Sequence, residues 1–372
     1  MINKVCIVAP SLQMGGIERS LSLLANYLNS EGVEVHFVTM FPFKDFFSLE
    51  NGIVFHRPEL IFFKKDKSFL KNFFYYVRMV SPINGKIIRT INTINPDIVI
   101  SYGDWYPHLI MLGLYNRYPF VYSNRSSPKI RYSKPIEFVR WLAYKLTPPA
   151  GIIAQTSYAK ARKLRILGDK IPIKIVPNPV LFSDLPIVEK NNWIVSVGRL
   201  HKEKGFIRLI EAFSAIRNKD WKLVLIGDGI HKTEIINFVN HKGLGNNVVF
   251  IGKVKEVASL LMQSKIFVLA SHKEGFPNAL LEACSLGLPS ISFDIVAGPS
   301  DIIENEINGI LLPDGDIRGL TMAIDRLIDD EELRNRLGQN AKKSSERFDI
   351  NILGREVFSF LYEITSKWTK RL

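Results

Sequence analysis

Short apolar runs alternate with longer amphipathic stretches through most of the chain. In the first half "KVCIVAP" reads as a buried strand, "GGIERSLSLLANYLNSEG" sets Ile17, Leu21, Leu24, Ala25 and Leu28 at helical spacing, and "EVHFVTM" is the next strand. Further strands are predicted at "PDIVISY", "FVYSN", "GIIAQT" and "IKIVPN". The second half starts the pattern afresh with "NWIVSVGRL", a helix over "GFIRLIEAFSAI", and strands at "WKLVLIGDG", "NVVFIGKV", "KIFVLAS", "PSISFD" and "GILLP". Repeated β-α-β units imply parallel, doubly wound sheets, because parallel neighbours need a crossover long enough to hold a helix. Between the halves "PNPVLFSDLPIVEKNN" breaks the periodicity with three prolines and a polar tail, a linker near residues 178–192. The expectation is an α/β protein with two Rossmann-like domains, 1–183 and 184–350, and a last helix within 351–372.

Composition narrows the class. A chain of 372 residues with 47% hydrophobic positions can fill two separate cores. No run of eighteen uncharged apolar residues occurs, and "MINKVCIVAP" enters a strand without a signal-peptide pattern, so a protein neither secreted nor membrane-spanning is expected. Two cysteines, Cys6 and Cys284, fall in apolar patterns and indicate core residues of a reducing cytoplasm, not a disulfide framework or a Cys-based metal site.

The formal charge of +13 is unevenly placed: residues 1–185 hold 24 Lys and Arg against 12 Asp and Glu, the remainder 25 against 24. One half thus suits an anionic surface such as lipid headgroups, lipid-linked phosphate or nucleic acid. The basic surplus gathers with aromatics in "FPFKDFF" (Phe41–Phe47) and "IFFKKDKSFLKNFFYYVRMV" (Ile61–Val80), a composition that fits an interfacial contact with an anionic inner-leaflet membrane surface; buried Phe with solvated Lys is the plain alternative. No helix-turn-helix, finger or RNA-recognition signature accompanies the charge, so nucleic acid is not the expected partner.

In doubly wound sheets ligands sit at the carboxyl ends of strands, where loops feed helix N-termini, and four stretches stand there. "GGIE" (Gly15, Gly16) can bring backbone N–H groups close to a phosphate, but is neither GxGxxG nor a Walker sequence. "VGRLHKEKGF" supplies Arg199 and Lys204, a guanidinium and an ammonium able to neutralise a diphosphate without a metal. "HKEGFPNALLE" leads through Gly275 and Phe276 to Asn278 as the expected N-cap of a helix ended by Gly287; Glu274 and Glu282 flank this anion site, as suits a ligand with hydroxyls on both sides of its phosphates. "SYGDWYPHLI" offers Asp104 and His108, either of which could assist proton transfer or serve structure. "DGD" (Asp314–Asp316) mimics a metal motif but reads as a turn after Pro313, and "GDG" (Gly227–Gly229) ends a strand.

Together "EGFPNALLEA", "VGRLHKEKGF", "GGIE" and the stretches around Gly298 and Gly309 resemble the retaining family 4 glycosyltransferases of the GT-B fold, in order and spacing, over nearly the whole chain. The resemblance implies two Rossmann-like domains facing across a cleft, with the last helix crossing back to the first. It implies transfer of a hexosyl group from a nucleoside diphosphate sugar, UDP favoured, with no metal or other cofactor. The acceptor it implies is a hydroxyl of a polyprenyl-diphosphate-linked saccharide in O-antigen or capsule synthesis, held by the N-terminal domain at the inner face of the plasma membrane.

By the same resemblance Arg199 and Lys204 bind the diphosphate, Glu274 the transferred sugar and Glu282 the ribose. The backbone of Gly275, Phe276, Pro277, Asn278, Ala279 and Leu280 meets sugar and phosphates, and Gly252, Lys253 and Val254 border the base. "VYSNRSSP" is similar to a segment of relatives that extend lipid-linked oligosaccharides, with Asn124 in place of its acidic residue ahead of Arg125. A GT-B nucleotide-sugar 2-epimerase is the nearest rival reading, and a basic nucleic-acid-binding protein a more distant one.

Overall fold

The structure, a computed structural model, describes residues 2–370 apart from 14, 42–44, 58–84, 103–109, 112, 115, 125–140, 143 and 183–187. Asp104, His108, Arg125 and the whole stretch Ile61–Val80 lie outside the described residues. The rest falls into two compact units: one runs to Pro179 and takes in the chain from Ile350 onward, the other is Val180–Asp349.

The first unit is built on seven parallel strands, β1 (Lys4–Ala9), β2 (Glu34–Thr39), β3 (Val54–His56), β4 (Ile98–Tyr102), β5 (Phe120–Asn124), β6 (Gly151–Ala154) and β7 (Ile173–Ile175), in the order β3-β2-β1-β4-β5-β6-β7. The second holds six, β8 (Trp193–Val197), β9 (Lys222–Ile226), β10 (Val248–Gly252), β11 (Ile266–Leu269), β12 (Ser290–Asp294) and β13 (Ile310–Pro313), ordered β10-β9-β8-β11-β12-β13 and again all parallel. Strands covered on both faces read as unbroken apolar runs, and every residue of Val5–Ala9 and Ile98–Tyr102 is indeed buried. The exception to legibility is β3: three half-exposed or exposed residues on a sheet edge carry no detectable period.

Helices α1 (Gly16–Ser30), α2 (Phe206–Ser214), α3 (Asn278–Ser285), α4 (Ile317–Asp329), α5 (Glu331–Ser345) and α6 (Ile350–Thr369) flank these strands. Although last in the chain, α6 packs within the first unit: a Cβ added at its Gly354 would come within 2.4 Å of the Tyr27 ring of α1, and its Phe360 and Ile364 cover Gly151 at the start of β6. The second unit starts and ends on adjoining backbone, where the Val180 N–H donates to the Phe348 carbonyl at 2.9 Å. No helix among the described residues is long and apolar enough to cross a membrane.

Both cysteines are core residues. Burial drives the Cys6 thiol well above the ordinary range and pushes Cys284 up to about 12, the latter only partly opposed by its contact with Ser290. Since the thiolate is the reactive form, a thiol reagent at neutral pH is expected to label neither residue in the native protein and both after denaturation; stoichiometric labelling of the native chain would contradict this burial.

Candidate active site

In the second sheet, chain order runs outward from β8 through β9 to β10 and then resumes on the other side with β11. This reversal puts the switch point of the sheet between β8 and β11, the position where open parallel sheets bind ligands beyond their carboxyl ends. The two loops that leave there are Gly198–Gly205, leading to α2, and Ala270–Pro277, leading to α3. They are the two richest motifs of the sequence.

Close backbone contact locks these loops together. Gly205 has φ +65 and lies so near the end of β11 that an added Cβ would stand 1.9 Å from the Ala270 carbonyl oxygen, so only glycine satisfies both the left-handed backbone and the approach. The His272 N–H donates to the Glu203 carbonyl at 2.8 Å. In consequence Lys204 Nζ reaches Glu274 Oε1 at 2.7 Å, across 70 residues of sequence, and Ser271 Oγ donates to the same oxygen at 2.7 Å. The carboxylate is 8% exposed and the ammonium 22%. Sequence reading gave these residues separate duties, Lys204 on the diphosphate and Glu274 on the transferred sugar; the structure joins them by a hydrogen bond. Lys204 has three N–H donors and uses one on Glu274, so it can also serve an anionic oxygen, while Oε2 of Glu274 can accept from a hydroxyl. Ser271 is the group sequence reasoning missed; the visible signal was a hydroxyl three residues before the carboxylate, at a strand end.

Arg199 is exposed on the same loop as Lys204 and joins no ion pair among the described residues. Its loop is held by hydrogen bonds from Gly198 N–H to Ile226 O, Leu200 N–H to Asp228 O and His231 N–H to Leu200 O, at 2.9, 3.0 and 3.0 Å. "GDG" is the other half of that contact: an added Cβ on Gly227 would lie 2.0 Å from Gly198 O, and one on Gly229 2.5 Å from Leu200 O. Gly252, at the end of β10, accepts from Gly227 N–H at 2.8 Å, with exposed Lys253 and half-buried Val254 following.

One sequence expectation is corrected at α3. The N-cap is Pro277, not Asn278: Pro277 has non-helical backbone angles and its carbonyl accepts from Leu280 and Leu281 N–H at 3.0 and 3.1 Å, so Asn278 is the first helical residue. Gly298 of the neighbouring loop lies close against Pro277; an added Cβ there would be 2.5 Å from its Cδ. No side chain caps the start of α3, which leaves a helix start suited to an anion. Gly275 is half-buried, Phe276 is buried edge-on against Phe348 with ring centroids 5.8 Å apart, and Ala279 and Leu280 turn into the helix, Leu280 into the core. Glu282 follows one turn along, half-buried, and Gly287 ends the segment at φ +74 as expected.

Behind this helix start, Asp301 Oδ2 accepts from Gly298 N–H at 3.2 Å. Burial raises its carboxyl above the usual range; the Gly298 bond and Arg347 oppose the rise and Asp294 adds to it. A carboxylate whose folded pKa lies above its unfolded one costs stability at neutral pH, and the cost fades as pH falls through the carboxylate range. Asp301→Asn, which keeps an acceptor for Gly298, is therefore expected to melt no lower than the wild type at neutral pH, with the difference closing on acidification. A drop in Tm at neutral pH would refute this account.

"DGD" is a turn, as read from the sequence. Asp314 pairs with Arg208 Nη1 and Asp316 Oδ1 caps α4 through Gly319 N–H, each at 2.8 Å. In the first unit Gly15 is the extended N-cap of α1 and Gly16 its first residue, at the carboxyl end of β1.

Residues 178–344 match the family described as Glycosyl transferases group 1, and residues 14–181 match Glycosyltransferase Family 4. With the two parallel-sheet units and their paired loops, these matches show that the chain belongs to the family 4 glycosyltransferases of the GT-B fold. Among its relatives are a Campylobacter jejuni GalNAc-alpha-(1->4)-GalNAc-alpha-(1->3)-diNAcBac-PP-undecaprenol alpha-1,4-N-acetyl-D-galactosaminyltransferase, 26% identical over 97% of this chain and 99% of that one, and the amylovoran biosynthesis glycosyltransferase AmsD of Erwinia amylovora, 23% identical over 91% and 93%. The fold is also that of sucrose-phosphate synthase from Thermosynechococcus elongatus (TM-score 0.80, 16% identity, 98% and 100% covered) and of Anabaena HepE in complex with UDP and glucose (TM-score 0.79, 18% identity, 97% and 100% covered). The chain is thus a glycosyltransferase, and the epimerase reading is not favoured.

Proposed function

We propose that the protein transfers a hexosyl group from UDP-sugar, with retention at the anomeric carbon, to a hydroxyl of a polyprenyl-diphosphate-linked saccharide during surface polysaccharide synthesis. The observation that carries the donor half is the joined Lys204–Glu274 unit at the sheet's switch point beside the uncapped start of α3. As the bond to the anomeric carbon breaks, negative charge grows on the diphosphate; Lys204, Arg199 and the first turn of α3 stabilise it, and no metal is needed for that step. Glu274 Oε2 positions the sugar through its hydroxyls and Glu282 the ribose. The acceptor proton passes to the departing phosphate on the same face, with Asp104 or His108 assisting.

UDP as the donor nucleotide is supported by the neighbouring fold of HepE with UDP and glucose, and the lipid-linked acceptor by the name of the Campylobacter relative. The basic N-terminal half supports an acceptor presented at an anionic inner-leaflet surface, with the protein peripheral there. The test is incubation with a panel of UDP-hexoses and a synthetic polyprenyl-diphosphate-linked saccharide, with the product's anomeric configuration read by NMR. An α-linked product from an α-donor, at a rate unchanged by EDTA, is expected. Inverted product, metal dependence, or epimerised donor without transfer would each overturn the corresponding part.

A further inference from the structure

The same domain has a second basic concavity at the opposite ends of its strands. Lys190 lies just before β8, Lys265 immediately before β11 and Pro289 immediately before β12, whereas the donor-site loops leave those strands at their carboxyl ends. With Arg334 and Lys342 of α5 they border a cavity of about 240 Å³, in which four cations face the single carboxylate of Glu331. Gly287 and Gly338 close one wall, packed so tightly that a Cβ on Gly338 would stand 2.3 Å from the Gly287 carbonyl oxygen.

The internal bonds of this cluster leave donors to spare. Arg334 is 8% exposed and spends Nη1 on the Leu327 and Ile328 carbonyls at 2.6 and 2.9 Å, with Nη2 3.5 Å from the well-exposed Glu331. Lys265 gives one of its three N–H bonds to Asn192 Oδ1 at 2.7 Å. Among the described residues Lys190, Lys265 and Lys342 join no ion pair. The buried Trp221 ring backs both Lys265 Nζ, at 5.8 Å from its centroid, and Arg334 Cζ, at 5.9 Å, so the two charges are set on one rigid platform. Desolvation, together with the charges of Lys265 and Arg334, pulls the Lys190 ammonium below the ordinary lysine range, which is the response of a cation held among cations with too little negative charge nearby. Solvated surface lysines scattered over a helix would lack the cavity, the shared indole and this mutual repulsion.

We infer that this cavity is a second anion site, distinct from the donor site, that binds a phosphate group through Lys190, Lys265, Arg334 and Lys342. Tetrahedral oxyanions suit such a ring because each oxygen can accept from a different cation. The phosphate could arrive free or on a lipid headgroup, and the chemistry of recognition is shared.

Two soluble probes separate the sources: inorganic phosphate and glycerophosphoglycerol, the water-soluble headgroup of phosphatidylglycerol. Each is titrated into the full chain while tryptophan fluorescence is followed, since Trp221 sits under two of the ligating groups. Saturable binding is expected in the wild type and in the donor-loop variant R199A/K204A. Lost charge-assisted hydrogen bonds should weaken it roughly tenfold or more in K190Q/K265Q. Tighter binding of phosphate assigns a free anion; tighter binding of glycerophosphoglycerol assigns a headgroup. Folding is controlled internally, because relief of repulsion at Lys190 should leave the Tm of K190Q equal to or above that of the wild type. Binding undiminished in K190Q/K265Q, binding lost in R199A/K204A alone, or no saturable binding of either probe would overturn the inference.

Discussion

Replacing Lys204 by methionine is expected to lower kcat/KM by about 10²–10³-fold, the loss usual when a preorganised donor to a developing anion is removed. The methionine keeps the length of the stem, so the change is chiefly in charge. It also leaves Glu274, 8% exposed, with Ser271 as its one remaining side-chain donor among the described residues. A destabilisation of about 1–3 kcal/mol should follow, below the full cost of a broken buried pair because Lys204 is partly solvated. Because the two residues form one unit, Lys204→Met and Glu274→Gln should be strongly non-additive, the double variant losing much less than the product of the single losses. Steady-state kinetics with donor and lipid-linked acceptor, run beside urea denaturation, checks both. Additive losses would show that the 2.7 Å contact is incidental to turnover.

The second large effect is expected at Gly205, the uncharged residue that follows Lys204. Alanine there must adopt φ +65 and place its Cβ 1.9 Å from the Ala270 carbonyl. The left-handed backbone alone costs about 1 kcal/mol, and relief of the clash adds about 1–3 kcal/mol because the obstacle is backbone, not a flexible side chain. Relief means separating the loop that carries Lys204 from the one that carries Glu274. A displacement near 1 Å at a reacting centre typically costs about 10²-fold in rate, so turnover should fall by that order even at temperatures where Gly205→Ala is fully folded. Gly243→Ala is the matched control: it shares the backbone class at φ +68 but meets nothing within 4 Å, so it should lose only about 1 kcal/mol and no activity. Equal behaviour of the two variants would mean that backbone strain, not loop separation, explains the result.

Much of this was open to sequence reading, for identifiable reasons. Twelve strands announce themselves because parallel strands covered on both faces need unbroken apolar residues, as in "KVCIVA" and "KLVLI". The two loop motifs after β8 and β11 could be singled out because doubly wound sheets confine ligand loops to one end of the strands. The turn nature of "DGD" followed from its neighbours. What failed was local in another sense: β3 is too short to have a period, and the cap of α3 sits one residue earlier, at Pro277, close to Gly298, which lies 21 residues further along the chain.

The sequence by itself determined the architecture class, the order of the elements and the list of charged and glycine residues at strand ends, since each depends on periodicity or residue type within a short window. Only the tertiary structure decided that Lys204 binds Glu274 Oε1, that Ser271 donates to the same oxygen, and that Gly205, Gly227 and Gly229 are glycines because the backbone of a loop leaving another strand lies against them. Those facts rest on which strands are neighbours. Adjacency of β8 to β11 is set by how a whole sheet packs its crossovers, and no window of residues contains it.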